Sequence, residues 1–224
     1  MIKKNKSIIL IIITIFACVI MGIIDAIIQP GYIIKSLIKI AMFMLLPFLY
    51  SLYDKETNLK SLFKPQKKGF LLAFGLGISV YLIIIGAYFI FRNIFDFSSL
   101  TSSLTDTTGV NKNNFLWVAI YISFANSLLE EFFFRGFSFL TLKQTTGRKF
   151  AYIFSSIMFA LYHIAMMIGW FGIPVVILTL VGLFVGGLIF NFFNEKFNNI
   201  YLSWLIHMFA NFAINTIGFI LFNA

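Results

Sequence analysis

Apolar residues in this chain neither alternate nor recur every three or four positions; they run in blocks of about 20, divided by short polar or charged segments. Helical blocks of that length cross a hydrocarbon core about 30 Å thick. Seven are read, at roughly 7–29, 33–53, 70–92, 114–140, 150–169, 173–193 and 199–222, and they predict an all-α, polytopic transmembrane bundle. Pro30-Gly31 breaks the first pair of spans, and Pro47 is expected to kink the second. Pro174 lies just inside the sixth, where a missing N–H does no harm. The Ser-, Thr- and Asp-rich segment from Asp96 to Asn114 reads as a loop on the external side. Gly182 and Gly186 form a Gly-x-x-x-Gly, adjoined by Gly187, expected to let the sixth span approach a neighbour closely.

Composition narrows the class. Of 224 residues, 60% are apolar and only 11% charged, whereas soluble domains run at about 25% charged. A soluble enzyme, a disordered chain and a disulfide scaffold are excluded; the single Cys18 has no internal partner. Abundant Phe, Ile, Asn and Lys suggest an AT-rich coding genome and hence a bacterial plasma membrane. The start, Met1-Ile2-Lys3-Lys4-Asn5-Lys6, resembles a signal-peptide n-region, but the apolar run that follows is too long for an h-region and has no small-residue cleavage site. Ile15-Phe16-Ala17-Cys18 is a poor lipobox, so an uncleaved first span is expected. The net charge of +9 reflects cations between spans rather than a nucleic-acid surface. Alternate span ends collect 12 of the 17 cations, which places the N-terminus in the cytoplasm.

Few ionisable groups lie inside the spans. A charge at a helix centre costs roughly 2.5–3.5 kcal/mol, so each needs a partner or a purpose. Asp25 is near enough to a span end to reach the interface, and Lys35 and Lys39 are long enough to snorkel. There remain Glu130, Glu131 and Arg135 in the fourth span, His163 in the fifth and His207 in the seventh; the chain has only two histidines, both within spans. Helical rise places Glu130 about 18 Å, His163 about 20 Å, His207 about 12 Å and Asn211 about 18 Å from the cytoplasmic ends of their spans. Three segments thus bring polar groups to overlapping depths. Glu131 and Arg135 are spaced i,i+4 with the acid first, the favourable order for an ion pair. Glu130, turned about 100° away, lacks that partner and has His163 and His207 as candidate neighbours across the bundle. His207 and Asn211 share a helix face.

Taken singly, each of these residues also reads as packing: intramembrane His and Asn serve as interhelical hydrogen bonders. Asn126, one turn before Glu130, reads either as a partner of its carboxylate or as such a bonder. The Phe132-Phe133-Phe134 run reads as lipid and core packing. Jointly, a carboxylate, two imidazoles and an amide in a cavity of low dielectric suit hydrolysis by activated water. Removal from water strengthens a carboxylate as a base, and imidazole and amide N–H groups stabilise a tetrahedral oxyanion. Glu130, His163 and His207 could alternatively hold a zinc, although the His-Glu-x-x-His motif is absent.

Three motifs occur in order: Glu130-Glu131-Phe132-Phe133-Phe134-Arg135 (Glu-Glu-x-x-x-Arg), Phe159-Ala160-Leu161-Tyr162-His163 (Phe-x-x-x-His) and His207-Met208-Phe209-Ala210-Asn211 (His-x-x-x-Asn). On separate spans they resemble the CPBP family, which includes type II CAAX prenyl proteases, bacteriocin-processing enzymes and Abi-type immunity proteins. The chain then divides into 1–113, without motifs, and a family-like core, 114–224. The resemblance implies an intramembrane endopeptidase with a site opening to the cytoplasm. Glu130 would activate water, His163 would help position it, and His207 and Asn211 would stabilise the oxyanion, with Glu131 and Arg135 in support. The family is named for metalloproteases, yet a metal-free glutamate mechanism has been argued for it, and both stay open here. The implied partner is a peptide or membrane-protein tail, of CAAX, bacteriocin or pheromone type, met among membrane lipids. A proton-coupled transporter is the competing reading, but the external halves of the spans look almost free of ionisable groups, which favours a blind site. Immunity by binding alone is a third.

Overall fold

The computed structural model describes residues 3–64, 67–95, 97–167 and 172–223. Met1, Ile2, Asp96 and positions 168–169, assigned above to the fifth span, lie outside the described residues. Helices follow in the order α1 (Asn5–Ile28), α2 (Tyr32–Tyr53), α3 (Phe70–Phe91), α4 (Ser98–Thr108), α5 (Phe115–Thr146), α6 (Arg148–Met167), α7 (Ile173–Phe197) and α8 (Tyr201–Asn223). Among the described residues there is no strand, and all of these helices but α4 are long and apolar enough to span a membrane, seven in number. The all-α polytopic reading therefore holds. Ile27, Ile33, Leu71, Trp117 and Ile173 are strongly exposed; such an apolar exterior needs lipid, and the chain is an integral membrane protein.

Several boundaries differ from the reading of the sequence. Helix α5 runs on to Thr146 and α7 to Phe197, because polar residues extend them past the apolar core. Lys143, Arg148 and the Tyr152 hydroxyl all donate to Glu195 at 2.6–3.3 Å, which fastens the ends of α5, α6 and α7 together. Gly147, at φ +95, makes the turn. Within the segment expected to be a loop, residues 109–114 stay non-helical, while Ser98–Thr108 instead form α4. Its Thr105, Thr107 and Thr108 hydroxyls bond back to the carbonyls four residues earlier, and Gly109 caps it at φ +71. Pro47 is accommodated by a wide π-type turn at Ala41–Leu45.

The close approach expected of the sixth span is found, but at Gly187 rather than at the Gly-x-x-x-Gly pair. Gly182 and Gly186 face open space, while Gly187 makes the close approach, with Ser156 Cα 3.1 Å from where its Cβ would stand. Asn191, one turn on, donates to Ser156 Oγ at 3.2 Å and so selects that face.

Helix α5 is the axis of the bundle. At 32 residues it is about 48 Å long, and every residue from 129 to 142 is buried. The Phe132-Phe133-Phe134 run is therefore core rather than lipid-facing. Phe133 stacks on Phe43 of α2 at 4.2 Å, and Phe134 meets Phe159 of α6 edge-on at 5.3 Å. Two stretches of α5, Ile122–Asn126 and Glu131–Thr141, are π-helical, a geometry often found at functional sites. Helix α8 lies along α5 through a ladder of polar side chains. Trp204 Nε1 donates to Phe124 O and Ser127 Oγ, Asn211 to Ile122 O, and Asn215 to Ala119 O and Ser123 Oγ.

Candidate active site

Glu130 sits at the junction of the two π stretches of α5 and is only 2% exposed. Its Oε2 lies 3.6 Å from His207 Nε2 and 3.9 Å from His163 Nε2. Each imidazole is aimed by its other nitrogen. His163 occupies a turn between Tyr162 and Ile164, and its Nδ1–H donates to Phe159 O at 2.7 Å, one helical turn earlier. His207 Nδ1–H donates to Glu131 Oε1 at 3.0 Å, and its ring stacks on Phe190. In both rings Nε2 is thereby left facing Glu130, the arrangement by which a bonded Nδ1 sets the role of the other nitrogen. Three of the residues singled out in the sequence, from three helices, thus converge. Glu131 joins them through His207 rather than standing apart as a structural acid.

Asn211 is placed less directly. It bonds to Ile122 O on α5 at 3.1 Å, the carbonyl beginning a π turn, and among the described residues it makes no bond to Glu130 or to either imidazole. An amide carries two N–H donors, and this bond uses one of them. Arg135 faces Glu131 Oε2 at 3.5 Å, but without a hydrogen bond. In a π-helix residue i sits over i+5 rather than i+4, so the i,i+4 pair is offset. The guanidinium instead lies over Phe159 at 4.0 Å and Phe190 at 5.0 Å, cation–π contacts that replace part of its hydration.

The reading of charge changes at three places. Glu130 does have a cation: Lys39 Nζ of α2 donates to its Oε1 at 2.5 Å and to Asn126 Oδ1 at 2.5 Å. Lys39 does not snorkel, being 4% exposed, and Asn126 proves a partner of the carboxylate, donating to Oε1 at 3.1 Å. Asp25 and Lys35 do not stand as separate charges either; they pair at 2.5 Å, with the Asp25 side chain buried. The halves of the spans read from the sequence as external are therefore not free of ionisable groups, and that feature no longer separates a blind site from a relay. The physical reason is common to all three. In hydrocarbon a buried ion pair is less unfavourable than two separate charges, so each acid finds a cation within the bundle. A signal for Lys39 was available: the motif supplies two acids and one base, and Lys35 and Lys39 were the cations in the facing span.

A tetrahedral zinc with bonds of about 2.0–2.1 Å sets its donors about 3.3 Å apart, closer than the 3.6 and 3.9 Å found here. Among the described residues no three His, Cys, Asp or Glu side chains have the spacing of a metal site, and Lys39 already meets the Glu130 carboxylate. As arranged, the set does not fit a resident zinc.

Residues 112–213 match the family model described as type II CAAX prenyl endopeptidase Rce1-like. The match covers α5 to α8 up to two residues past Asn211 and bears out the resemblance read from the three motifs. That family implies a protease acting on a peptide or protein. No curated protein and no solved structure matches the chain.

Proposed function

We propose, with the match of residues 112–213 as premise, that this protein is an intramembrane endopeptidase in which Glu130 activates water. The single observation that carries the reading is the meeting of Glu130 Oε2 with His207 Nε2 at 3.6 Å and His163 Nε2 at 3.9 Å inside a buried core. Atoms so spaced can share one water lying about 2.8 Å from each.

Glu130 takes a proton from that water as its oxygen attacks the peptide carbonyl. His163 orients the water. The oxyanion is met by His207, which donates from Nε2 only when that nitrogen carries a hydrogen as well as Nδ1, and by the second amide hydrogen of Asn211, in a site where little water competes. Collapse breaks the C–N bond, and the proton held on Glu130 passes to the departing amine. Glu131 orients His207, and Arg135 balances Glu131. The substrate is a membrane-associated peptide or protein tail, of CAAX, bacteriocin-leader or pheromone type. The distribution of Lys and Arg supports a cytoplasmic N-terminus.

Incubation of the lipid-reconstituted protein with a panel of prenylated Cys-a-a-X peptides and hydrophobic leader peptides in 18O-water tests the reaction class. One 18O in the new carboxyl terminus of a cleaved peptide is expected. Intact peptides across the panel, together with proton flux dependent on His163 and His207, would contradict it.

A further inference from the structure

The two oxygens of the Glu130 carboxylate have different surroundings. Oε2 faces the imidazoles, whereas Oε1 accepts from Lys39 at 2.5 Å and from Asn126 at 3.1 Å. Lys39 in turn bonds Asn126 Oδ1, closing a triangle of ammonium, amide and carboxylate. The ammonium lies 5.0 Å from the Tyr162 ring and 5.6 Å from the Phe43 ring. Phe43 is one turn along α2 from Lys39, and its stack on Phe133 anchors that turn against α5. A lysine so enclosed has given up its hydration, and the carboxylate and amide oxygens around it stand in for that water.

Charge balance points the same way. The acids Glu130 and Glu131 face the cations Lys39 and Arg135, while Asp25 and Lys35 form a separate pair. Remove Lys39 and the site holds two adjacent carboxylates with one cation.

We propose that Lys39, which none of the three motifs contains, is the positioning residue of the catalytic base: with Asn126 it clamps Oε1 of Glu130, turns Oε2 to the water, and supplies the counter-charge for a second carboxylate. The inference rests on the hydrolytic reading above. A point charge with three rotatable donors suits a clamp shared between an amide and a carboxylate, and a charge-assisted bond holds the carboxylate more firmly than a neutral one.

The test uses the full chain in lipid and a peptide that the wild type cleaves. Lys39→Gln is expected to lower kcat about 100-fold, with KM changed by less than about threefold, the scale on which groups that orient a ligating or reacting residue act. Lys39→Arg is expected to recover kcat to within about tenfold of the wild type. Glu130→Gln, run alongside, is expected to be inactive. A folded Lys39→Gln with wild-type kcat, or one that loses only KM, overturns the clamp and leaves the hydrolytic reading intact provided Glu130→Gln is dead. An active Glu130→Gln overturns that reading instead. If Lys39→Gln does not fold, Lys39→Arg decides, because a folded Arg variant with kcat down a hundredfold contradicts a role that depends on positive charge.

Discussion

Adjacent carboxylates at Glu130 and Glu131 are served by different cations in different ways: Lys39 makes a short, hydrogen-bonded pair with the first, and Arg135 an offset, unbonded one with the second. Losing one member of a buried pair strands the other. Arg135→Met is therefore expected to destabilise the protein by about 3–5 kcal/mol, read by unfolding in detergent. Glu131→Gln combined with Arg135→Met is expected to be more stable than Arg135→Met alone, and a double variant no better than the single one would count against the pairing. The residues of the three motifs were legible from sequence because type and spacing are local properties. Lys39 was legible only as one of two cations that could balance the motif's second acid, since its partner lies 91 positions away and its long stem is equally suited to snorkelling. Asn215 was in plain sight four residues after Asn211, continuing the polar face of α8.

Between helices, closeness is decided by the partner's surface. Three glycines stand near one another in α7, and only Gly187 meets a neighbour, Ser156. Gly187→Leu is expected to cost about 1–3 kcal/mol through overpacking, whereas Gly182→Leu, on an open face, is expected to change the unfolding midpoint little. Equal effects of the two would place the α6–α7 contact wrongly. A Gly-x-x-x-Gly names a helix that can approach another but not the face that does. Asn191, in register with Gly187, carried the missing information. Helix α4 shows the converse: Ser and Thr favour loops and caps because they compete for backbone bonds, yet here their hydroxyls bond back along the helix itself.

Over the whole molecule, the number of spans was legible because a bilayer imposes one length on every crossing helix. That α5 is the axis, buried on all sides from 129 to 142, was not, because an apolar helix reads alike whether it faces lipid or protein. Outside the spans, Asp54 joins the start of α1 to the end of α2 through Lys6 at 2.5 Å and the Thr57 hydroxyl at 2.6 Å. Burial alone pushes the Asp54 carboxyl up, but the bonds from Lys6 and Thr57 and the Lys6 charge outweigh it and hold the group below its ordinary value. A lowered carboxyl stabilises the folded state above its unfolded pKa, and that stability is lost as pH falls through the folded one. Thermal stability is therefore expected to decline below about pH 4, and Asp54→Asn to flatten that decline; an unchanged acid profile in Asp54→Asn would show the pair to be inert. The proposed hydrolytic centre belongs to the same scale, since its side chains come together only where α2, α5, α6 and α8 meet.

The most direct test is the turnover number of purified, folded Glu130→Ala beside that of Glu131→Ala on one peptide. Loss of cleavage by at least about a thousandfold in Glu130→Ala, with measurable cleavage left in Glu131→Ala, is the predicted result. Turnover by Glu130→Ala at the wild-type rate would contradict the assignment of the base and the mechanism built on it.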